Sequence, residues 1–427
     1  MRDQTAQTVQ HFGDDIAPRG ARTVVALIAV VALPAGLLSA ITQSPVARGT
    51  DYFYYYCVSW LVARGHGGSA YNNRVLGALE RRLAAPDRVP HGVIPNVYPP
   101  SFAVALAPLT WLPYAVGFLV WLGISVLCLG CAVALLEEYA QFDRIGRVVF
   151  RAACIMSLPV VVALLLGQVS CILLALLSGA FLALRVDRQG LAGACLGLCL
   201  IKPQYVLPFL LVVVVQRKWR AVAWFGCVAA LLFLLPLPVL GISADGNYMS
   251  TLLRAIHWGE NVGGFTPLVN RSLGGFVQLL LPQAPALWVS SVLDLAALGA
   301  VAIVSRGSRT VELPFAFATV VALLASQHVL IHDLTLLILP SAIAWRYRVF
   351  APGATRTLIA LLWGAMYAGF SAEFTHRIQL PTMAMAAFAV LLVVIWSRAQ
   401  GVRQDIDPTS CGRVAMLPPA SAETAGA

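Results

Sequence analysis

Between Tyr114 and Leu136 the chain runs for 23 residues without a charged side chain. As a helix that run is about 34 Å long, enough to cross the roughly 30 Å hydrocarbon core of a bilayer. Similar runs recur along most of the sequence. Hydrophobic residues make up 59% of the 427, and charged residues only 11%, against about 25% in a soluble domain. A water-soluble fold of this size lacks the polar surface it would need, and disorder is excluded by the same numbers. Most of the nine cysteines, including Cys128, Cys154, Cys171 and Cys199, sit inside apolar runs and read as small hydrophobes, not as a disulfide framework. The composition therefore implies an all-α, polytopic membrane helix bundle.

The charge pattern gives this bundle an orientation. The net charge is +10, and all but two of the 29 basic residues are arginine. They stand singly or in small groups between apolar runs, with no basic patch of interleaved aromatics, so nucleic acid is not an expected partner. The candidate spans are Thr23–Thr42, 114–136, 152–166, 169–184, 191–201, 204–215, 221–241, 286–304, 311–326, 333–345, 355–371 and 381–397, about twelve in all. Nineteen of the 29 basic residues then fall on the side that holds both termini, which the positive-inside rule assigns to the cytoplasm. The polar segment 1–22 carries no close small-residue cleavage site and precedes a retained span. The integral-membrane part covers 23–400, and 401–427 reads as a polar, disordered cytoplasmic tail. Outside lie a long first loop, 43–113, and a second, 242–285. The first loop is polar to residue 100 and ends in a short apolar stretch, 101–113, that reads as a re-entrant or interfacial helix.

Several arms are too short to cross. The runs 191–201 and 204–215 reach only about 17–18 Å each, which places their tip, Lys202-Pro203-Gln204, at membrane depth. The tips Gly167-Gln168 and Ser326-Gln327-His328 look alike. Polar backbone at that depth is tolerated only where it lines protein or water. Three polar tips are thus expected to meet in an outward cavity, on the side of the long first loop.

Some residues there suit chemistry. Asp51, in Thr50-Asp51-Tyr52-Phe53-Tyr54-Tyr55-Tyr56, is either a general base near the membrane surface or a helix cap ahead of an interfacial aromatic belt. Lys202 is costly in a span and suits a phosphate, although a snorkelling lysine at a helix end would look the same. His328 and His332 share a face if one helix runs through both, with Asp333 able to orient an imidazole or to act as a cap. Gln168 and Gln204 offer amides to sugar hydroxyls or to neighbouring helices. Asp294 lies mid-span and is expected to pair inside the bundle. Asn270-Arg271-Ser272 matches the short glycosylation-acceptor pattern.

Taken in order, these pieces resemble glycosyltransferase family 87. The resemblance rests on Asp51 with its aromatics, the Gly65–Tyr71 stretch, and Tyr98-Pro99-Pro100 leading to Leu112-Pro113. It continues through Gly167-Gln168-Val169-Ser170, Gly193…Gly197…Lys202-Pro203-Gln204, Asn270-Arg271-Ser272-Leu273 and Ser326-Gln327-His328…Asp333-Leu334. The family often has Pro where Gln327 stands and Tyr where His332 stands. The resemblance implies a GT-C fold, an essential acid at Asp51, and inverting transfer from a polyprenyl-phosphate sugar without an obligatory metal or cofactor. It implies mannose or another hexose or pentose as the sugar, and a lipid or glycan of the bacterial envelope as acceptor.

On that basis Asp51 is the expected base, with His328 as its catalytic companion. Lys202 and Arg271 are expected to bind the donor phosphate, and Tyr98, Gln168, Gln204, Asn270, His332 and Asp333 to line the substrate. The expected location is the bacterial inner membrane, with both termini cytoplasmic and membrane lipids as surroundings. A transporter or flippase of lipid-linked precursors is the main alternative, although no repeat relates residues 1–215 to 216–427. An inactive assembly factor that keeps the fold is a further one.

Overall fold

The structure, a computed structural model, describes residues 50–85, 95–255, 267–376 and 378–404. The expected first span 23–42, the 1–22 segment, the middle of the second outer loop and nearly all of the 401–427 tail lie outside the described residues. Every regular element described is helical.

In the first outer region, α1 spans Thr50–Ala63, α2 Asn73–Ala84 and α3 Pro100–Leu106. Five elements follow: α4 (Tyr114–Ala140), α5 (Arg144–Met156), α6 (Leu158–Leu166), α7 (Ser170–Arg185) and α8 (Gln189–Leu198). Then come α9 (Leu207–Val215), α10 (Trp219–Leu234), α11 (Leu237–Leu240), α12 (Ser243–Ala255) and α13 (Leu273–Gln278). The chain continues with α14 (Gln283–Gly307), α15 (Glu312–Leu324), α16 (Ile338–Arg346), α17 (Pro352–His376) and α18 (Leu380–Gln404).

The expected count of twelve continuous spans is not what the described residues show. Four helical stretches are long and apolar enough to cross a bilayer: Tyr114–Ala140, Trp219–Leu240, Gln283–Gly307 and Leu380–Gly401. A fifth is possible if α5 and α6, bent by 47°, form one broken span. The bend has a local cause. Ser157 leaves helical geometry, and Pro159 stands in the first turn of α6, where its missing N–H costs nothing. Ser170–Arg185, Gln189–Ile201, Pro203–Val215 and Glu312–Leu324 are apolar but short, and they break at the polar tips.

The first outer loop also differs from expectation. Residues 50–63 form a helix in which Tyr52, Phe53, Tyr54 and Tyr55 are buried and Tyr56 and Trp60 half-buried, not an interfacial belt. Tyr52 packs against Tyr114, Phe118 and Trp121 of α4, with ring centroids 5.6, 5.6 and 6.1 Å away. Tyr55 stands edge-on to Tyr98 and Phe102. Such pairs contribute about 0.5–1.5 kcal/mol each beyond area burial. They fasten α1, with Asp51 in its first turn, onto the bundle.

At the centre sits α15, whose residues Leu313 to Leu324 are all buried. A helix apolar all round belongs in the middle of a bundle. It ends at Leu324. A 3-10 turn, Ile331–Leu337, then leads into α16. No single helix carries His328 and His332, so the shared-face expectation fails. On the outside, Leu231, Phe233 and Leu234 of α10 and Trp288, Val292 and Leu295 of α14 are exposed, as befits lipid-facing walls. Asp294 lies on that outer helix, and its buried Oδ1 has no hydrogen-bond partner among the described residues. The pairing expected from sequence is not seen there.

The short arms pack closely. A Cβ at Gly193 would collide with the Ala221 carbonyl, so glycine lets the short α8 approach α10 backbone to backbone.

Candidate active site

Asp51 stands in the first turn of α1, where the helix dipole favours a negative charge. Its partner comes from the end of α6. Gly167 closes that helix in the left-handed region (φ 70°), and Gln168 N donates to the Ala163 carbonyl at 2.8 Å. Trp121 Nε1 donates to the Gly167 carbonyl at 2.7 Å. The turn is held from two sides, and the buried Gln168 side chain projects toward α1.

Asp51 Oδ2 accepts from Gln168 Nε2 at 2.6 Å. The other end of the amide, Oε1, meets the Tyr55 and Tyr98 hydroxyls at 3.0 and 3.2 Å. The two hydroxyls lie 2.6 Å from each other. Tyr98 is fixed in turn by Tyr71, whose hydroxyl donates to the Tyr98 carbonyl at 2.7 Å, and by Asn96 Oδ1, which accepts from Tyr98 N at 3.1 Å. Burial pushes both phenols above their ordinary range, Tyr55 strongly so. They are protonated donors at neutral pH.

A second group surrounds Asp333. Lys202 Nζ lies 2.6 Å from Asp333 Oδ1, with the two side chains 8% and 4% exposed. Ser170 Oγ donates to the same oxygen at 3.4 Å. Leu330 N donates to Oδ2 at 3.1 Å, and His332 Nε2 lies 3.4 Å from that oxygen. Asp333 therefore does cap the 3-10 turn, and it also anchors a buried cation. Breaking such a pair by removing one partner is costly, because a charge is left without compensation.

The two groups form one cluster. Lys202 and His332 both stand within electrostatic reach of Asp51, and Tyr98 within reach of Lys202, Asp51 and Asp333. Ser170 is two residues from Gln168. The tips at 168 and 202 meet the 330–333 segment and the start of α1.

Other expected residues lie elsewhere or do other work. Gln204 is exposed. Asn270 clasps two segments: its Oδ1 accepts from Val329 N and Ser272 N at 3.0 and 3.3 Å, and its Nδ2 donates to the Gln327 carbonyl at 2.8 Å. Buried and committed to backbone in this way, it is not placed as a glycosylation acceptor. Arg271 is buried, with its backbone N donating to the Val329 carbonyl at 2.7 Å and its guanidinium donating to the Leu268 carbonyl. His328 is half-buried, and its carbonyl accepts from Tyr205 and Ser326 hydroxyls at 3.4 Å. The imidazole beside the carboxylates is that of His332.

Sequence reasoning missed Tyr55, Ser170 and Trp121. Tyr55 was within reach of it, since it lies four residues after Asp51, on the same face of any helix starting there. Among the described residues, no group of three or more His, Cys, Asp or Glu side chains is placed to hold a metal.

A polytopic helical fold with a buried carboxylate, lysine, histidine and amide gathered between broken helices suits an enzyme acting at membrane depth. The match with known families supplies the rest: residues 96–340 match glycosyltransferase family 87, more than half of the chain, and the protein belongs to that family. No curated protein and no solved structure gives a significant match. The matched stretch holds every expected site residue except Asp51, which precedes it.

Proposed function

We propose that this protein moves a sugar, mannose or another hexose or pentose, from a polyprenyl-phosphate donor to an envelope lipid or glycan on the extracytoplasmic side. The observation that carries the reading is Asp51 itself. One of its oxygens is pinned by a buried amide from the turn that ends α6, and the carboxylate stands within electrostatic reach of a buried lysine and histidine. That arrangement suits a base holding an acceptor hydroxyl next to a phosphate leaving group.

The step is a single displacement. The acceptor oxygen bonds to the anomeric carbon as its proton passes to Asp51. The bond from that carbon to the phosphate oxygen breaks, its electron pair leaves with polyprenyl phosphate, and the anomeric centre inverts. Lys202 keeps two N–H groups beyond its contact with Asp333, and they suit the charge growing on the leaving phosphate. His332, buried beside Asp333, is assigned as a hydrogen-bonding partner of the acceptor or the phosphate. His328 and Arg271 line the neighbouring 268–272 and 326–330 segments. Both termini lie in the cytoplasm of a bacterium, and the polyprenyl tail lies in the inner membrane against the bundle.

The test is transfer by purified protein in lipid, with panels of polyprenyl-phosphate sugars and envelope lipid extracts. Asp51→Asn is expected to lower turnover by about 100- to 10,000-fold, the usual worth of a general base, with the protein still folded. Full turnover by Asp51→Asn would remove the base.

A further inference from the structure

We propose that Tyr55 is a positioning residue: with Tyr98 it forms a one-way pair of hydrogen-bond donors that runs through Gln168, ends on Asp51 Oδ2 and leaves Oδ1 for the acceptor hydroxyl. The inference rests on Asp51 being the base and goes further, by naming what holds that base in register.

The argument is a count of protons. A carboxylate accepts only, so the Gln168 end that faces Asp51 Oδ2 at 2.6 Å is the NH2 end. Its Oε1 must then face the two phenols, as it does at 3.0 and 3.2 Å. Each phenol has one proton, yet three oxygen–oxygen contacts connect Tyr55, Tyr98 and Oε1. The shortest, 2.6 Å, joins the two phenols. One phenol therefore donates to the other, and the one that accepts donates to Oε1. In either order every donor points toward Asp51, and aligned bonds of this kind strengthen one another.

The covalent layout adds to this. Tyr55 is one helical turn along α1 from Asp51. The chain thus leaves the helix at Asp51 and returns to it at Tyr55, clasping the Gln168 side chain between two points of one rigid element. Tyr55 is buried, so its hydroxyl is shielded from bulk solvent. Its ring is held by Tyr98 and Phe102 at centroid distances of 4.6 and 5.2 Å, and Phe keeps those contacts. Tyr55→Phe thus removes one O–H group from an otherwise unchanged place. The charged groups facing Asp51 from other elements, Lys202 and His332 with the paired Asp333, stay where they are.

The experiment is steady-state transfer by Tyr55→Phe in the full-length protein, with melting temperature measured alongside. The expected result is a kcat about ten-fold lower, the upper end of what one neutral hydrogen bond is worth, with KM for both substrates within two-fold and the melting temperature unchanged. The loss should shrink to less than two-fold in an Asp51→Glu background, where the carboxylate has already left its register. Wild-type kinetics in Tyr55→Phe would overturn the proposal, as would an equal loss in both backgrounds or a loss that tracks melting temperature and KM. Full turnover by Asp51→Asn would instead remove the base reading beneath it, so the two failures are distinct.

Discussion

Asp333 and Glu80 are both buried acids, and their surroundings are opposite. Asp333, in the turn between α15 and α16, is met by Lys202, Ser170, the Leu330 N–H and His332. Glu80, on the inner face of α2 against α1, has neither carboxylate oxygen hydrogen-bonded among the described residues. Its neighbours are the apolar cluster of Val58, Leu61, Leu76 and Leu79, with Cys57 close enough to feel its charge. Low dielectric makes a charge expensive unless it is paired and hydrogen-bonded. The bundle centre meets that demand by supplying partners. The outer layer meets it by keeping the acid neutral: burial pushes Glu80 up to about 8, with Arg81 opposing. A charge held at the centre is available for binding, whereas a neutral acid in the outer layer is not.

The sharpest way to break this contrast is Lys202→Met. It leaves Asp333 in place without its cation, and removing one partner of a buried pair typically destabilises by about 3–5 kcal/mol. Thermal unfolding in detergent should show a loss of that order. The double change Lys202→Met/Asp333→Leu should recover much of it, because no buried charge remains. A single variant that melts with the wild type would mean that solvent reaches the pair and that the two acids differ less than their surroundings suggest.

How far the sequence foretold this contrast depends on what each residue touches. Lys202 and Asp333 stood out because a charge inside an apolar run is costly wherever it folds. The helical membrane class followed from the same economy of charge. Gln168 was marked as a sugar ligand, yet its amide is occupied at both ends by Asp51 and the two phenols. A single polar residue does not reveal which neighbour will claim it. Asn270 and Gln204 show the same limit in opposite directions, one locked to backbone and the other exposed. Glu80 was passed over because its segment lies in the stretch 43–100, which reads as a polar outer loop. Only the packing of α2 shows that the position faces inward beside Leu76 and Leu79. The number of spans was not legible for a related reason, since apolar runs of 10–17 residues do not say whether they cross or turn back.

Backbone sharpens the comparison at an intermediate scale. Gly167, beside the charged cluster, has φ 70°, and an added Cβ would meet the Tyr52 Cβ at 2.7 Å. Gly68, in the outer layer, would meet only the Leu240 carbonyl, at 4.0 Å. Gly167→Ala combines left-handed strain with overpacking and should destabilise by about 2 kcal/mol. It should also lower transfer, because the turn aims Gln168. Gly68→Ala should stay within about 0.5 kcal/mol, as surface changes do. Equal melting temperatures for the two variants would show that the centre is no more tightly determined than the rim.

The pH-dependent effect concerns Glu80. In the unfolded chain its carboxyl returns to the ordinary range near 4.3, while in the fold it is held up to about 8. Between those values the native state keeps a proton that the unfolded state gives up. By linkage, the stability this group contributes is complete below about pH 4.3 and declines as pH rises through about 8. Glu80→Gln keeps shape and neutrality at every pH, so the part of the pH dependence owed to this group should vanish. The variant should match the wild type near pH 5 and melt higher above pH 8, by a few degrees at most. Because α2 lies outside the candidate spans, hydrogen exchange of α1 and α2 amides reads the same effect locally: wild-type exchange, corrected for its intrinsic rise with pH, should accelerate on going from pH 5 to 8, and exchange in the variant should not. Identical pH profiles in the two proteins would mean that the carboxylate has a partner, and that the outer layer handles its acid as the bundle centre does.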